Sequence, residues 1–319
     1  MRILITGGTG SLGSALTESL MDNNEIIIYS RDEAKQAIKY SRSNKISCVI
    51  GDIRDFDRLN ITVKRYKPEC IIHAAALKRI DDMELHPEEC IKTNVLGSEN
   101  VAKAALLNEV PKCILVSTDK ACKPVNVYGS SKFIAERIFT NFDYHSEKTI
   151  FCSVRYGNVL ASRGSFIPLW LSLLREKKQI EVTSLDMTRF LFTLGDAVKT
   201  VLCAMDCTEG GEVFAPQISS YDMRTILKAV KQVHGDDFEF KISGLRPGEK
   251  LHEDMLADTE IPYTYIASDK LLCVRPQYTK RNYKSLPKYT GDEFNSSLHI
   301  DDNVETLVSL IKRGFKEAR

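Results

Sequence analysis

Apolar residues in this chain gather in short runs separated by longer amphipathic stretches. Ile3-Leu4-Ile5, Ile26-Ile27-Ile28, Cys48-Val49-Ile50, Cys70-Ile71-Ile72, Ile114-Leu115-Val116 and Phe151 to Val154 are unalternated and rich in β-branched residues. A strand with one wet face alternates, so runs like these predict strands covered on both faces. Helical stretches lie between them. One follows Ser11, one is Ala34–Tyr40, and Asp55–Tyr66 opens on a carboxylate, a helix-start signal. Cys90–Asn108 and Val127–Phe142 are long enough for helices as well. Strand and helix alternating at this spacing predict βαβ units and an α/β fold with a doubly wound parallel sheet. The alternation fades beyond about residue 160, which predicts a smaller, irregular α/β lobe. The sheet domain is expected over 1–160 with about 188–215, because Phe190–Met205 reads as another strand and helix of the main sheet. The lobe is expected over about 161–187 and 216–319, where it would bind substrate.

Composition narrows the function. The 319 residues hold 44 Lys+Arg against 43 Asp+Glu, a net charge of +1. That gives no bulk electrostatic reason to bind nucleic acid or an anionic membrane, and the basic stretch Lys280–Tyr289 reads as a solvated face. No apolar run approaches the ~20 residues of a membrane helix. The start, MRILITGGTG, lacks the apolar core and cleavage site of a signal peptide. A cytoplasmic protein is expected, with neither nucleic acid nor membrane as partner. The nine cysteines form no CxxC, and several sit inside apolar runs, so free thiols are expected. The six histidines are scattered, so no metal site is expected.

The first run leads into Thr6-Gly7-Gly8-Thr9-Gly10-Ser11-Leu12-Gly13, where Gly7, Gly10 and Gly13 give GxxGxxG ahead of a helix. Such a turn admits no side chain between backbone and a pyrophosphate, and the helix start offers amides to it. This is the signature of a Rossmann-type dinucleotide site. The second run ends Tyr29-Ser30-Arg31-Asp32, with Lys35 one turn on. Ser30 stands where an NAD site usually has a carboxylate. With Arg31 and Lys35 it suits a 2'-phosphate, so NADP is favoured; Asp32 leaves NAD open if it turns inward. Asp52 and Ile53 end the third run, and Asp52 is assigned to the adenine amino group, or else to a turn or cap. Ala74, Ala75 and Ala76 end the fourth run and let a cofactor lie against backbone.

After the fifth run come Ser117-Thr118-Asp119-Lys120 and then Tyr128-Gly-Ser-Ser-Lys132. Tyr128 and Lys132, at i and i+4, share one helix face. An ammonium beside a phenol favours the phenolate, which makes Tyr128 a base for an alcohol proton during transfer of hydride to nicotinamide. The chain here resembles the extended short-chain dehydrogenase/reductases. Within them it resembles the soluble UDP-N-acetylglucosamine 4,6-dehydratases that invert C5. The motifs carrying this are Ala75-Ala76-Leu77-Lys78, Glu89–Asn94, Ser117–Ala121, Pro124–Gly129, Arg155-Tyr156-Gly157-Asn158-Val159, Ser162-Arg163-Gly164-Ser165, Met187–Phe190 and Arg246-Pro247-Gly248-Glu249-Lys250-Leu251-His252-Glu253. Cys122-Lys123 departs from the small-residue-then-asparagine pair of the family and leaves that loop's shape open.

The resemblance implies a reaction. Oxidation at C4 acidifies the C5 proton, the C6 hydroxyl leaves as water, hydride returns to C6, and C5 is reprotonated from the opposite face. Lys120 suits the C5 base if neighbours depress its pKa, and Asp119 suits the acid if burial keeps its proton. The alternative for this pair is a surface ion pair. Thr118 is expected to hydrogen-bond the 4'-hydroxyl. By resemblance Asn94 lies with the cofactor, Asn158 and Arg246 meet the diphosphate, Glu249 meets the uridine ribose, and Lys78 lies near the sugar. Arg189 is a further substrate candidate. A UDP-sugar 4-epimerase, or a dehydratase on another nucleotide sugar, remains the rival reading. The family also implies a homo-oligomer, dimer or hexamer.

Overall fold

A computed structural model describes residues 1–41, 43–162 and 164–318. Arg163 of the Ser-Arg-Gly-Ser motif therefore lies outside the described residues. All six runs form strands: β1 (Arg2–Thr6), β2 (Glu25–Ser30), β3 (Ile46–Ile50), β4 (Cys70–His73), β5 (Lys112–Val116) and β6 (Ile150–Val154). They pair in parallel in the order β6-β5-β4-β1-β2-β3. The strand order reverses between β1 and β4, and their ends, Thr6 and His73, are register partners. A crevice at such a reversal is where doubly wound sheets bind ligands.

Helices cover both faces, as unalternated strands require: α1 (Ser11–Leu20), α2 (Glu33–Tyr40), α3 (Phe56–Tyr66), α4 (Ile80–Leu85), α5 (Pro87–Cys90), α6 (Gly97–Leu107) and α7 (Val127–Tyr144). Ile3, Ile5, Ile28, Ile72 and Ile114 pack with Leu12 and Leu16 of α1 and with Val198 and Val201 of the helix Leu194–Cys207. Leu4, Ile27, Ile71 and Leu115 face α3, α6 and α7 from the other side. Aspartates start α2 and α3, Asp32 accepting from the Lys35 amide and Asp55 from that of Arg58. The stretch expected as one helix over Cys90–Asn108 divides, with a π-helical segment, Ile91–Leu96, ahead of α6. Such segments recur at functional sites, and this one carries Asn94.

One expectation is corrected. The helix within Phe190–Met205 packs on the main sheet beside α1, but its strand, Thr188–Phe192, does not join that sheet. It pairs with Asn158–Val159 and Ser220–Asp222 in a separate three-stranded sheet. Conversely, Val213–Pro216 extends the main sheet in parallel, followed by antiparallel Leu271–Val274 and Thr264–Ser268. All five residues of Thr188–Phe192 are buried. The apolar signature was therefore right about burial and carried no information about which strand lies alongside. A further core holds Trp170, Ile226, Val230, Leu307 and Ile311 from three helices, Phe166–Arg175, Met223–His234 and Val304–Glu317.

Sheet and lobe are joined by Arg155, one residue past β6 and 1% exposed. Its guanidinium holds Glu136 of α7 at 2.8 Å and Glu260 at 2.8 Å, and donates to the Met255 carbonyl at 3.2 Å. Arg155→Met leaves two carboxylates without their counter-charge. It is expected to cost about 3–5 kcal/mol, read as a lower denaturant midpoint, because breaking a buried pair strands the remaining charge. An unchanged midpoint would show that solvent reaches the pair.

Candidate active site

At the nucleotide end, Gly7 has φ +68°, and a Cβ there would lie 2.8 Å from the Ala75 backbone. No side chain fits between this turn and Ala74-Ala75, so the glycine loop packs backbone to backbone against the segment that leaves β4. Gly10 starts α1 without a side-chain cap, which leaves the helix start to a ligand. Thr9, Ser11, Leu12 and Gly13 follow in the same turn, and Ala76 is exposed next to it. The residues present fit a bound dinucleotide.

The adenosine end holds more than the sequence suggested. Ser30 is buried, and its Oγ accepts from Gln36 Nε2 at 2.8 Å. Asp32 caps α2 and pairs with Lys35 Nζ. Asp52 accepts from the Arg54 amide at 2.9 Å and pairs with the Arg54 side chain at 2.7 Å and with Arg31 at 3.7 Å. Burial acts to raise the Asp52 pKa, but the Arg54 hydrogen bonds and the charges of Arg54 and Arg31 hold it below its ordinary value. Ile53 is buried beside it. Arg54 was not anticipated; nothing in its spacing separates it from a surface arginine.

Asn94 lies fully buried and clamps the loop after β4. Its Oδ1 accepts from the Leu77 amide at 2.8 Å and its Nδ2 donates to the Leu77 carbonyl at 2.9 Å. Both ends of its amide thus serve the protein, and the clamp sets the start of the exposed turn that carries Lys78. His73 is a second unanticipated group. Ser98 Oγ donates to the Asn94 carbonyl at 2.5 Å, so it accepts from His73 Nε2 at 3.0 Å. The Thr6 hydroxyl then donates to His73 Nδ1 at 2.7 Å. Burial, with the charge of Lys132, holds this imidazole neutral, its pKa well below the ordinary value.

At the chemical end, Thr118 follows β5 and begins a 3-10 turn, Asp119–Ala121. Its hydroxyl donates to Asp119 Oδ1 at 2.9 Å. Lys120 Nζ lies 3.0 Å from Asp119 Oδ1 and 3.1 Å from Glu253 Oε1. The first turn of α7 seats on this segment, because a Cβ on Gly129 would come within 2.2 Å of the Lys120 carbonyl. That close approach sets Tyr128 beside Thr118 and Asp119. Lys123, in the loop that departs from the family pattern, has φ +46°, a region where asparagine is at less cost than lysine.

Two expectations about charge are corrected. Neighbours do not depress the Lys120 pKa: burial acts to lower it, but Asp119 and Glu253 outweigh burial and raise it, so the amine is held as ammonium. Nor is Tyr128 poised as a phenolate. Burial raises its pKa strongly and Asp119 adds to this, against a hydrogen bond shared with Thr118. Lys132 is the lysine whose pKa falls, to about 8, because burial outweighs the attraction of Glu136 and Cys90.

The arginines assigned to substrate are engaged within the protein. Arg189 is buried and donates to the carbonyls of Thr188, Leu251 and Lys250 at 2.7, 3.1 and 3.0 Å. It holds the Arg246–Glu253 segment in place, with both hydrogens of Nη1 and one of Nη2 spent on these carbonyls. Arg246 bridges Asp81 at 3.0 Å and Glu249 at 2.7 Å, so the Glu249 carboxylate is paired as well. Asn158 Oδ1 is buried and has no hydrogen-bond partner among the described residues. Glu253, unassigned in sequence, is the buried residue that meets Lys120; its only sequence signal was its place at the end of the Arg-Pro-Gly-Glu motif.

Residues 3–273 match the family described as polysaccharide biosynthesis protein. Over 271 residues the chain is 43% identical to the UDP-N-acetylglucosamine 4,6-dehydratase (inverting) of Campylobacter jejuni subsp. jejuni serotype O:23/36 (strain 81-176), covering 82% of this chain and 79% of that protein. It is 38% identical over 269 residues to a UDP-glucose 4-epimerase of Rickettsia bellii (strain OSU 85-389), covering 81% and 78%. Among solved structures, Pen from Bacillus thuringiensis superposes with a TM-score of 0.91 at 30% identity, covering 100% of this chain and 98% of that one. WbmG of Bordetella bronchiseptica, solved with NAD and UDP, gives 0.63 at 25% identity, covering 78% and 83%.

The depressed Lys132 pKa has a signed consequence. The unfolded chain binds this proton up to the ordinary lysine value of 10.5, whereas the folded chain releases it near 8. The penalty is therefore full below the folded value and fades as pH rises toward the unfolded one. Lys132→Met is expected to stabilise the nucleotide-free protein at neutral pH by on the order of 1–3 kcal/mol. In melting curves across that pH window the gain should shrink as pH rises; a gain independent of pH would refute the assignment.

Proposed function

The chain belongs to the extended short-chain dehydrogenase/reductases, in the family described as polysaccharide biosynthesis protein, and on that premise we propose that it is a UDP-N-acetylglucosamine 4,6-dehydratase inverting C5. The product is UDP-2-acetamido-2,6-dideoxy-β-L-arabino-hexos-4-ulose. The observation that carries this reading is the Asp119-Lys120 pair at the end of β5 beside Tyr128, with Asp119 fully buried and the Lys120 side chain 14% exposed. A 4-epimerase needs only proton and hydride exchange at C4. A dehydratase also needs one group to take the C5 proton and another to protonate the C6 oxygen as it leaves.

A nicotinamide dinucleotide supplies, when bound, the hydride acceptor and donor for C4 and C6. Gly7 to Gly13 would cradle its pyrophosphate, Ala74 to Ala76 would lie along it, Asp52 and Ile53 would flank the adenine, and Lys132 would meet the nicotinamide ribose. We favour NADP. Arg31 is more than half exposed at the end of β2, and Asp32, the carboxylate that would select NAD, is engaged in capping α2 and pairing with Lys35. Tyr128 takes the C4 hydroxyl proton, oriented by Thr118. Lys132, still protonated at neutral pH, supplies the nearby positive charge that offsets the phenolate's burial. Lys120 works at C5 and Asp119 at the C6 oxygen.

Incubation with UDP-N-acetylglucosamine should yield a product lighter by one water, carrying deuterium at C5 when the reaction is run in deuterated water. Lys120→Ala should lower water loss by about 10²–10⁴-fold. The second reading, a 4-epimerase, is favoured by the Rickettsia bellii relative. It would show instead as a gluco/galacto mixture of unchanged mass. Arg31→Ala should weaken NADP binding by about 10-fold, the size of one lost charge-assisted contact, and leave NAD binding nearly unchanged by calorimetry. Equal losses for both would remove the 2'-phosphate role.

A further inference from the structure

The proposed dehydration needs Lys120 as a neutral amine, yet the site holds it as an ammonium between two buried carboxylates. Asp119 is 0% exposed and Glu253 is 2% exposed. Each offers one oxygen to Lys120 Nζ, at 3.0 and 3.1 Å. Among the described residues the other oxygens, Asp119 Oδ2 and Glu253 Oε2, are buried without a hydrogen-bond partner. The two carboxylates differ in their surroundings. Asp119 Oδ1 also accepts from the Thr118 hydroxyl. Among the described residues the Glu253 carboxylate has beyond Lys120 only the Arg189 Nε at 4.0 Å, at the edge of an ion pair, and the other Arg189 nitrogens point at backbone carbonyls.

Glu253 is held where it is by several ties. Its amide donates to Ser296 Oγ at 2.8 Å, and His252 Nδ1 lies 2.8 Å from Thr188 Oγ1. Lys250 Nζ reaches the Cys122 carbonyl at 2.9 Å and Asp254 at 3.0 Å, which fastens this segment to the Lys120 loop itself. The carboxylate is thus delivered to Lys120 by a separate lobe and a built scaffold.

We propose that Glu253 is a positioning residue that accepts the Lys120 proton and so makes the amine available as the C5 base; this rests on the dehydratase reading above. Transfer of one proton across 3.1 Å turns ammonium and carboxylate into amine and carboxylic acid, and the net charge of the buried cluster is unchanged. No charge enters or leaves the dry site, which is why an internal acceptor works better than release to solvent. The C5–H bond then breaks, its proton going to Lys120 and its electron pair to the new C5–C6 double bond. The C6–O bond breaks, and the departing oxygen takes the proton that Glu253 had held, relayed through Lys120 and Asp119. Water leaves, and Lys120 is again an ammonium between two carboxylates.

The test is Glu253→Gln in the full chain with its cofactor and UDP-N-acetylglucosamine. Without the internal acceptor, Lys120 must lose its proton to solvent. Turnover and C5 deuterium incorporation should both fall by about 10²-fold at neutral pH and recover as pH rises, where wild type is flat. Early absorbance of reduced nicotinamide, which reports C4 oxidation alone, should persist in the variant. Glu253→Asp should restore part of the lost C5 exchange. The assignment is overturned if Glu253→Gln keeps wild-type exchange at neutral pH. It is equally overturned if the variant loses C4 oxidation and C5 exchange alike with no pH recovery, or if Glu253→Asp is no better than Glu253→Gln. Should wild type itself release no water from this substrate, it is the dehydratase reading that fails.

Discussion

The guanidinium of Arg155 is the contact on which the site depends. It follows β6 by one residue, and in one fully buried position it holds Glu136 of α7 and Glu260 of the second lobe. Glu136 also accepts from Ser117 Oγ at 2.6 Å, so the strand that leads into Thr118 is tied to the same group. Glu136 lies one helical turn beyond Lys132, and Glu260 follows closely after Glu253. One arginine therefore sets the relation of three chain segments whose side chains must meet within a hydrogen bond's length. Its pKa stays well above the ordinary value because Glu136 and Glu260 outweigh the cost of burial. Arginine serves here where lysine would not, since its planar fork pairs with two carboxylates at once and keeps its charge when dry.

Lys120 and Lys132 show how the same side chain is given opposite properties. Both are largely removed from water. Lys120 has a carboxylate on either side, and its proton is held. Lys132 has weaker partners, and its proton is loosened. The first arrangement suits a group that shuttles a proton among neighbours without changing the total charge. The second suits a cation placed beside a phenol, close enough to release its proton that small changes in the site alter its state. The neutral His73, hydrogen-bonded at both ring nitrogens, adds rigidity beneath the same crevice without adding charge.

The glycine turn and the Tyr128–Lys132 helix face were legible because they are local. Gly7 needs its left-handed backbone within a single turn, and Tyr128 and Lys132 share a face through helix geometry alone. The six strands were legible because burial on both faces leaves unalternated apolar runs. The substrate half was not. Arg189 and Arg246 have the composition of anion ligands, but one is used on backbone carbonyls and the other on Asp81 and Glu249. The remote partners, Leu251 and Lys250 for Arg189 and Asp81 for Arg246, lie 61 to 165 positions away, beyond the reach of local spacing.

The sequence by itself determined the order of strands and helices, the glycine turn after β1 and the shared helix face of Tyr128 and Lys132, since each follows from periodicity or from spacing within one element. Only the tertiary structure decided the protonation of those groups, the sheet to which Thr188–Phe192 belongs, and the arrival of Glu253 at Lys120 from 133 positions along the chain. The reason is physical. Backbone conformation and side-chain direction are fixed by near neighbours, whereas strand partners, dielectric surroundings and charge pairing are fixed by whatever the fold packs against them.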